Sequence, residues 1–330
     1  MGPSGSWSKF SDDARRVDVD AAGRLLVSTS RGCSIYSELD RAPRSILTPS
    51  TLPGARFISA ANGQLYAVWT EYSPRRRGRV RRLAGSRWVA DDSALVQSLV
   101  AGASTDNATV LVGDEGIVRR SVDKPSARWT KASLPALGTA RPAGMRGPWT
   151  RFGLHSAARG AGALWAAGFE APNLPLLLCS TDHGARWTRH TLPVDELASI
   201  DGIAGWPDGI TVSVTFGSGA HGMLTSSDGV TFERFDQDIG GRWLVAHDDG
   251  SITCLDEDNQ VRRAKLGLAP RRDSFERLAI VDGRPAVSVA RWRGRWWAVV
   301  EYTHCAEDED DEDEFEREGL YVSEQIESRC

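Results

Sequence analysis

The sequence contains no apolar run close to the roughly 20 residues that a membrane-spanning helix requires. Its first segment, Met1 to Asp13, is polar and lacks the apolar core of a secretory signal. The five cysteines are scattered and none has C-x-x-C spacing, so the pattern implies neither a zinc site nor a disulfide framework. We therefore expect a reduced, cytoplasmic protein without a membrane segment.

Motifs of common catalytic sites are also missing. The sequence has no G-x-S-x-G elbow, Walker A loop, H-E-x-x-H pair or EF-hand loop. The six histidines show no metal-ligand spacing, and Asp248-Asp249-Gly250 after His247 is more typical of a hairpin turn than of a metal site. We predict no catalytic residue, no cofactor and no metal, and hence a protein that is not an enzyme.

The chain has little helical periodicity, and its 33 glycines and 12 tryptophans suggest many short strands joined by turns. A turn residue followed by an alternating apolar strand recurs seven times: Gly23, Gly63, Asn107, Gly162, Gly209, Gly250 and Gly294. A second column of large apolar residues lies in short polar strands: Trp7, Ile46, Trp88, Trp129, Trp187, Phe232 and Phe275. Both columns widen at the same place, so one insertion over residues 136–150 explains both.

Each period contains four short strands, which is the signature of a propeller blade. In the second period we predict strands over residues 57–61, 65–72, 79–83 and 87–89. The chain is therefore predicted to be all-β, a single seven-bladed β-propeller of four-stranded antiparallel blades over residues 1–330. The last period lacks a fourth strand, and residues 6–10 are predicted to supply it, because closure removes an exposed sheet edge. The predicted blades are residues 17–50, 55–92, 95–135, 151–193, 196–237, 241–281, and 285–325 together with 5–11.

A short motif recurs at the turn between the third and fourth strands of three periods. The best copy, S-x-D-x-G-x-x-W, consists of Ser180, Asp182, Gly184 and Trp187. A copy one residue shorter consists of Ser226, Asp228, Gly229 and Phe232, and an eroded copy retains Asp123 and Trp129. In such a turn a carboxylate can accept backbone N–H bonds, glycine permits a positive φ, and the aromatic packs between sheets. We interpret these residues as structural.

With these motifs the chain resembles the Asp-box, or BNR-repeat, propellers, which include sialidases and sortilin-type and photosystem-assembly propellers. Sialidase-like members carry an arginine triad, a Tyr–Glu nucleophile pair and an Asp acid/base. Their Arg-Ile-Pro motif is absent here, the nearest text being Arg41-Ala42-Pro43 in a fourth-strand position. The neighbours Glu71–Tyr72 and Glu301–Tyr302 point to opposite strand faces, so neither forms the pair. Glycan binding or cleavage is the alternative function.

The longest or most unusual loops all belong to one face of the predicted propeller. This loop face carries the connections from second to third strands and from one blade to the next, at residues 73–78, 136–150, 171–175, 217–222 and 305–319. Because loops carry function on a rigid scaffold, we predict that this face binds another protein. The predicted contact residues are Arg75, Arg76, Arg77, Arg79, Arg146, Trp149, Arg151, His221, Glu307, Asp308, Asp310, Asp311 and Asp313.

Charge is distributed unevenly on that face. Arginines crowd residues 75–82, whereas Glu307 to Glu318 contains ten acids and one arginine. Residues 306–318 are interpreted as a disordered, self-repelling loop, a dock for a basic partner, a mask over the arginines or a cleavage site. The pI of about 5.9 disfavours nucleic acid as the partner. Together with an Ala-, Arg- and Gly-rich composition, these features favour a monomeric regulatory, inhibitory or scaffold subunit of a bacterial multiprotein assembly.

Overall fold

Within the residues that it describes, the computed structural model has 28 β-strands arranged in seven four-stranded antiparallel sheets. It describes residues 7–11, 14–19, 23–29, 32–38, 44–47, 55–71, 77–85, 87–91, 98–122, 127–138, 150–171, 174–234, 242–247, 251–255, 261–265, 276–278, 286–300 and 319–323. No helix occurs within these ranges. The predicted fold class, an all-β seven-bladed propeller with four-stranded blades, is confirmed.

The first three sheets each follow chain order from the first strand to the fourth. Sheet 1 consists of β2 (Arg16–Val19), β3 (Leu25–Ser28), β4 (Gly32–Tyr36) and β5 (Arg44–Leu47). Sheet 2 consists of β6 (Arg56–Ser59), β7 (Leu65–Glu71), β8 (Arg77–Ala84) and β9 (Arg87–Ala90). Sheet 3 consists of β10 (Ala101–Ser104), β11 (Ala108–Gly113), β12 (Gly116–Ser121) and β13 (Thr130–Lys131).

The next three sheets repeat the same order. Sheet 4 consists of β14 (Phe152–Gly160), β15 (Ala163–Glu170), β16 (Leu174–Ser180) and β17 (Thr188–His190). Sheet 5 consists of β18 (Leu197–Trp206), β19 (Gly209–Phe216), β20 (His221–Ser226) and β21 (Glu233–Arg234). Sheet 6 consists of β22 (Arg242–Ala246), β23 (Ser251–Leu255), β24 (Val261–Lys265) and β25 (Glu276–Leu278).

The seventh sheet combines strands from both ends of the sequence. It consists of β26 (Ala286–Trp292), β27 (Arg295–Val300), β28 (Gly319–Ser323) and, as its fourth strand, β1 (Trp7–Ser11). β1 runs antiparallel to β28, with Trp7 opposite Ser323. The ring of Phe10 lies edge-on to Trp297 and Tyr36, with centroid distances of 5.0 and 5.4 Å. The predicted closure of the ring by an N-terminal strand is therefore confirmed.

A separate apolar core fills each of the seven gaps between neighbouring sheets. Strand alternation serves two cores at once. On β15, Leu164 and Ala166 pack in the core shared with sheet 3, whereas Trp165 and Ala167 pack in the core shared with sheet 5. Second strands are thus buried on both faces, which explains why they read as almost continuous apolar runs.

The first strands of the sheets lie innermost and contact one another around the ring, for example β2 with β26, β10 with β14 and β18 with β22. They surround a central channel. The antiparallel order places the first-to-second and third-to-fourth connections at one end of the propeller and the other connections at the loop face. Side chains near the start of a first strand therefore lie at the loop-face mouth of the channel.

Candidate functional site

Four ionisable side chains from four different first strands influence one another electrostatically. Arg16 begins β2, Arg56 begins β6, and His155 and Asp201 lie in β14 and β18. Arg56 interacts electrostatically with Arg16, and His155 with both Asp201 and Arg56. Sheet 3 lies between the sheets that carry Arg56 and His155. We name these four residues the channel-mouth cluster.

Two β-bulges position the members from sheets 4 and 5. The pairing of β14 with β15 skips His155, and the pairing of β18 with β19 skips Asp201. A bulge leaves its extra residue unpaired and re-aims the side chain, and bulges are frequent beside functional sites. Neither bulge was predictable from the sequence, because neither position departs from the strand pattern around it.

The two sides of the channel-mouth cluster differ in charge state at neutral pH. Burial, aided by Arg16, lowers the pKa of Arg56 to about 10, so the guanidinium stays charged. Burial lowers the pKa of His155 below its ordinary value, although Ile200 and Asp201 act in the opposite direction, with the Ile200 carbonyl accepting a hydrogen bond from the ring. His155 is consequently neutral at pH 7.

Hydroxyl groups fix Asp201 in place. Ser199 donates to its Oδ1 at 2.7 Å, and Thr215 donates to its Oδ2 at 2.8 Å. The hydroxyl oxygen of Thr215 also lies 2.9 Å from Nδ1 of His221. Because the Thr215 hydroxyl donates its proton to Asp201, its oxygen accepts a hydrogen bond from that nitrogen. His221, one of the predicted contact residues, is thereby connected to the channel through Thr215 and Asp201.

Two segments predicted as long loops are tight connections instead. β19 and β20 are joined by residues 217–220, where Phe216 N–H donates to the Ala220 carbonyl at 2.8 Å and Gly219 N–H to the Phe216 carbonyl at 2.9 Å. Only residues 171–173 separate β15 from β16. The prediction of elaborated loops at 171–175 and 217–222 is therefore wrong, because ladder hydrogen bonds continue the strands into these segments.

Arginines of β8 share one side of sheet 2 with a tryptophan. Trp69 pairs with Arg79, and Glu71 pairs with Arg77, so alternation places Arg77, Arg79 and Arg81 on the same side. Arg79 Nε lies 2.7 Å from Glu71 Oε2, and the Arg81 guanidinium lies 5.8 Å from the Trp69 ring centre. We name Trp69, Arg77, Arg79 and Arg81 the arginine strip; two of these residues, Arg77 and Arg79, were predicted as partner contacts.

Carboxylates hold both ends of the predicted insertion. Arg151 Nε donates to Glu115 Oε2 at 2.8 Å, and Arg151 N–H donates to Glu115 Oε1 at 2.5 Å. At the other end, Gly138 N–H donates to Glu170 Oε1 at 2.5 Å. Arg151, predicted as a partner contact, is thus engaged within the chain while its side chain stays 53% exposed. Neither Glu115 nor Glu170 was among the predicted site residues.

The remaining predicted contacts lie outside the described residues. They are Arg75, Arg76, Arg146, Trp149, Glu307, Asp308, Asp310, Asp311 and Asp313. Asp123 of the eroded motif and Arg41–Pro43 also fall outside the described ranges. The assignment of these residues to a binding surface or a turn therefore stays a prediction.

The connection between β16 and β17 is built around one carboxylate. Asp182 Oδ1 accepts the Ser180 hydroxyl at 2.9 Å and the N–H groups of Ala185 and Arg186 at 3.1 and 2.9 Å. Burial alone would raise the pKa of Asp182, but hydrogen bonds from Arg186 and Ser180 outweigh it and lower the pKa to about 2. The charged carboxylate is therefore the form that organises the turn.

The connection between β20 and β21 repeats this arrangement. Asp228 Oδ1 accepts the Ser226 hydroxyl at 2.8 Å and the N–H groups of Val230 and Thr231, each at 2.7 Å. Backbone hydrogen bonds from Thr231 and Val230, together with the one from Ser226, hold the pKa of Asp228 well below its usual range. Although the second motif is one residue shorter, its carboxylate has the same role.

The glycines of both turns face the preceding sheet. Gly184 has φ +81°, and a Cβ on it would lie 2.4 Å from Val110 of sheet 3. Gly229 has φ +72°, and a Cβ on it would lie 3.0 Å from Trp165 of sheet 4. Both positions therefore require glycine for conformation and for space. The motif aromatics are buried in the cores: Trp129 and Trp187 at 3% exposure and Phe232 at 7%.

Within the described ranges, no group of three side chains is suited to hold a metal ion, and no helix is long and apolar enough to cross a membrane. Cys33, Cys179 and Cys254 are free thiols. Burial raises the pKa of Cys179 to about 11, so this thiol is protonated at physiological pH. The channel-mouth cluster and the arginine strip are therefore the candidate binding features.

Comparison with known proteins supports the fold and shows no family. No family model and no curated protein matches the chain. The Pan2 WD40 domain of Neurospora crassa aligns with a TM-score of 0.60 and 11% identity over 98% of each chain. YCF48 from Cyanidioschyzon merolae aligns with a TM-score of 0.57 and 13% identity over 96% of this chain and 98% of that one. An extracellular domain of the two-component system BT4673 from B. thetaiotaomicron aligns with a TM-score of 0.61 and 9% identity, over 97% of this chain but 40% of that one.

Proposed function

We propose that this chain is a non-catalytic propeller that binds another protein through its loop face, as a regulatory, inhibitory or scaffold subunit of a bacterial, cytoplasmic assembly. We further propose that its carboxylate-centred turns are Asp-boxes, which stabilise the scaffold and take no part in binding. The hydrogen bonds of Asp182 and Asp228 stay within their own turns, which supports a local role.

The arginine strip carries this proposal. Arg77 is exposed at the loop-face end of sheet 2, and the side chain of Arg79 is 27% exposed beside its partner Glu71. Arg81 lies over Trp69, a contact that orients a guanidinium while leaving its charge available. Arginine and tryptophan are the residue types that dominate binding energy at protein interfaces. Three guanidiniums on one side of a sheet favour a partner with an acidic surface.

Glycan binding or cleavage is the second candidate, and the channel-mouth cluster is the observation that favours it. The charge of Arg16 contributes to the lowered pKa of Arg56, and arginines are the residues suited to bind a sugar carboxylate. The tyrosines of the described residues do not complete such a site, because Tyr36, Tyr66 and Tyr321 are buried between sheets. Incubation with a fluorogenic sialoside tests this function directly: turnover that Arg56→Gln abolishes would establish it over protein binding.

Affinity capture from the source organism tests the main proposal. The full chain is compared with an Arg77→Glu/Arg79→Glu/Arg81→Glu variant, in which the strip changes sign. A variant at the opposite end of the propeller, Arg119→Glu/Arg159→Glu, is the control for added negative charge, with two reversals of sign against three in the strip variant. We expect the same co-purified protein with the unmodified chain and the control, and its loss with the strip variant, in quantitative mass spectrometry.

Three further observations bear on the result. Circular dichroism must show that the strip variant melts within a few degrees of the unmodified chain, since unfolding alone would also remove a partner. Removal of residues 306–318 tests the acidic run: increased capture supports a mask, and decreased capture supports a dock. Equal capture by the strip variant and the unmodified chain would contradict the proposed surface.

A further inference from the structure

The two sides of β8 differ in exposure. On the side that faces sheet 3, Gly78 and Val80 are buried, and a Cβ on Gly78 would lie 2.7 Å from the side chain of Leu99. The other side faces sheet 1, because Leu83 packs there against a core that includes Leu26. On that side every β8 residue keeps part of its surface exposed: Arg77, Arg79, Arg81 and Leu83. The arginine strip is therefore accessible along the length of the strand.

The strip has the repeat of an extended chain. Its three arginines occupy alternate positions of one strand, so successive side chains start about 6.6–6.8 Å apart. A second extended chain that runs along β8 has the same repeat and turns every other side chain toward the strip. Packed sheets lie about 10 Å apart, so a helix, which is about 10–12 Å wide, does not fit along β8 between sheets 1 and 2. The strip therefore favours acidic residues at alternate positions of an extended segment.

Glu71 shows how the strip holds a carboxylate. It lies opposite Arg77, and its Oε2 is 2.7 Å from Nε and 2.6 Å from Nη2 of Arg79. The Glu71 side chain is 43% exposed, so a carboxylate from outside can replace it in this ion pair. β7 and β8 together contain one acidic residue and four arginines, and Asp91, which follows β9, is paired with Arg120 of sheet 3. Positive charge is therefore in excess along the strip's own strands.

We propose that the arginine strip binds an extended segment of the partner protein with carboxylates at alternate positions, and that Glu71 is a built-in competitor for this segment. The inference rests on the proposed protein-binding function of the loop face. A ligand with one carboxylate gains little by replacing Glu71, because it exchanges one ion pair for another. A segment with three carboxylates also pairs with Arg77 and Arg81, so it can displace Glu71 from Arg79.

Fluorescence anisotropy with two labelled heptapeptide amides of the same composition tests the spacing. One peptide has glutamates at its second, fourth and sixth positions among serines and alanines, and the other has them at its third, fourth and fifth. In an extended conformation the first presents three carboxylates to one side, and the second presents two. At low ionic strength the alternating peptide should bind the full chain about threefold more tightly, the gain expected for one further exposed ion pair. Equal affinities, or no saturable binding of either peptide, would overturn the proposal.

Substitutions in the chain test the side of β8 and the role of Glu71. Arg77→Gln/Arg81→Gln should weaken binding of the alternating peptide about tenfold, the loss of two ion pairs. Arg82→Gln/Arg87→Gln removes the same charge from the other side of the same sheet and should leave affinity within about twofold. Equal effects of the two variants would overturn the proposal. Glu71→Gln should strengthen binding about threefold, because the competitor is lost. Weaker binding by that variant would mean that Glu71 only positions Arg79, and would refute the competitor role.

Failure of this inference is distinguishable from failure of the proposed function. If the strip variant loses a captured protein but the chain does not prefer the alternating peptide, protein binding is supported and the extended-segment inference is overturned. If the chain prefers the alternating peptide but captures no protein, the inference is supported and the proposed function is contradicted. Tighter binding of a labelled oligothymidylate with three phosphates would assign the strip to nucleic acid and overturn the inference. Thermal unfolding of each variant within about 2 °C of the unmodified chain ensures that a change in affinity reports on the strip.

Discussion

Replacement of Arg120 by alanine should weaken the contact between sheets 2 and 3. Arg120 is 6% exposed and forms an ion pair with Asp91, which follows the last strand of sheet 2. Its guanidinium lies 5.8 Å from the ring centre of Tyr66 and 5.9 Å from that of Trp129. One side chain therefore joins a carboxylate and two aromatic rings across the gap between the two sheets.

The structure sets the size of the effect. Loss of one partner of a buried ion pair costs about 3–5 kcal/mol. Because the Asp91 side chain is 21% exposed and regains part of its hydration, we expect the lower end, about 3 kcal/mol. With about 2.1 cal/mol/K of unfolding entropy per residue, the 330-residue chain has an unfolding entropy of about 0.7 kcal/mol/K. The melting temperature should consequently fall by about 4 °C.

Urea unfolding followed by circular dichroism measures the change in the free energy of unfolding. Asp91→Ala should have a similar effect, because it leaves the Arg120 charge buried. Arg159→Ala is the matched control: its ion pair with Asp106 joins side chains that are 49% and 78% exposed, and its loss should cost less than about 1 kcal/mol. If Arg120→Ala and Arg159→Ala were equally stable, the reasoning about this inter-sheet contact would be refuted.

Gly184→Ala should lower the free energy of unfolding, measured in urea, by about 2–3 kcal/mol, and Gly219→Ala by only about 1–2 kcal/mol. Both glycines have positive φ, but nothing lies within 4 Å of a Cβ on Gly219. Equal losses would contradict the packing argument. Asp182 has a lowered pKa of about 2, so its stabilisation is present above pH 4 and lost as pH falls from about 4 to 2. Asp182→Asn should flatten that part of the stability profile, and an identical profile would refute the assignment. Phe10→Ala should destabilise the chain by about 1–2 kcal/mol through lost contact with Trp297, with no change expected if β1 did not close the ring.

The strands were predictable because the sheet of every blade packs against a neighbouring sheet on each of its two faces. In sheet 2, predicted strands at 57–61, 65–72, 79–83 and 87–89 correspond to Arg56–Ser59, Leu65–Glu71, Arg77–Ala84 and Arg87–Ala90. Apolar residues there must face two cores, which imposes alternation and continuous apolar runs that a single sequence displays. Turn residues end the strands because of their local conformational preferences, so the strand boundaries could also be predicted from the sequence.

The channel-mouth cluster was not predictable in the same way. Its members belong to four different blades, and their relative positions depend on how the blades are arranged around the ring rather than on any local pattern. His155 and Asp201 owe their orientation to bulges, which depend on the register between two strands.

The composition of the seventh sheet has a consequence for how the chain folds during synthesis. β1 is made first, but its hydrogen-bonding partner β28 ends at Ser323. At about 5–20 residues per second, roughly 15–60 s pass on the ribosome before the two strands can meet. During that interval β1, which carries the apolar side chain of Phe10, has no strand to pair with. We expect chaperones to bind the unpaired strand, and pairing with a strand of another molecule would begin there.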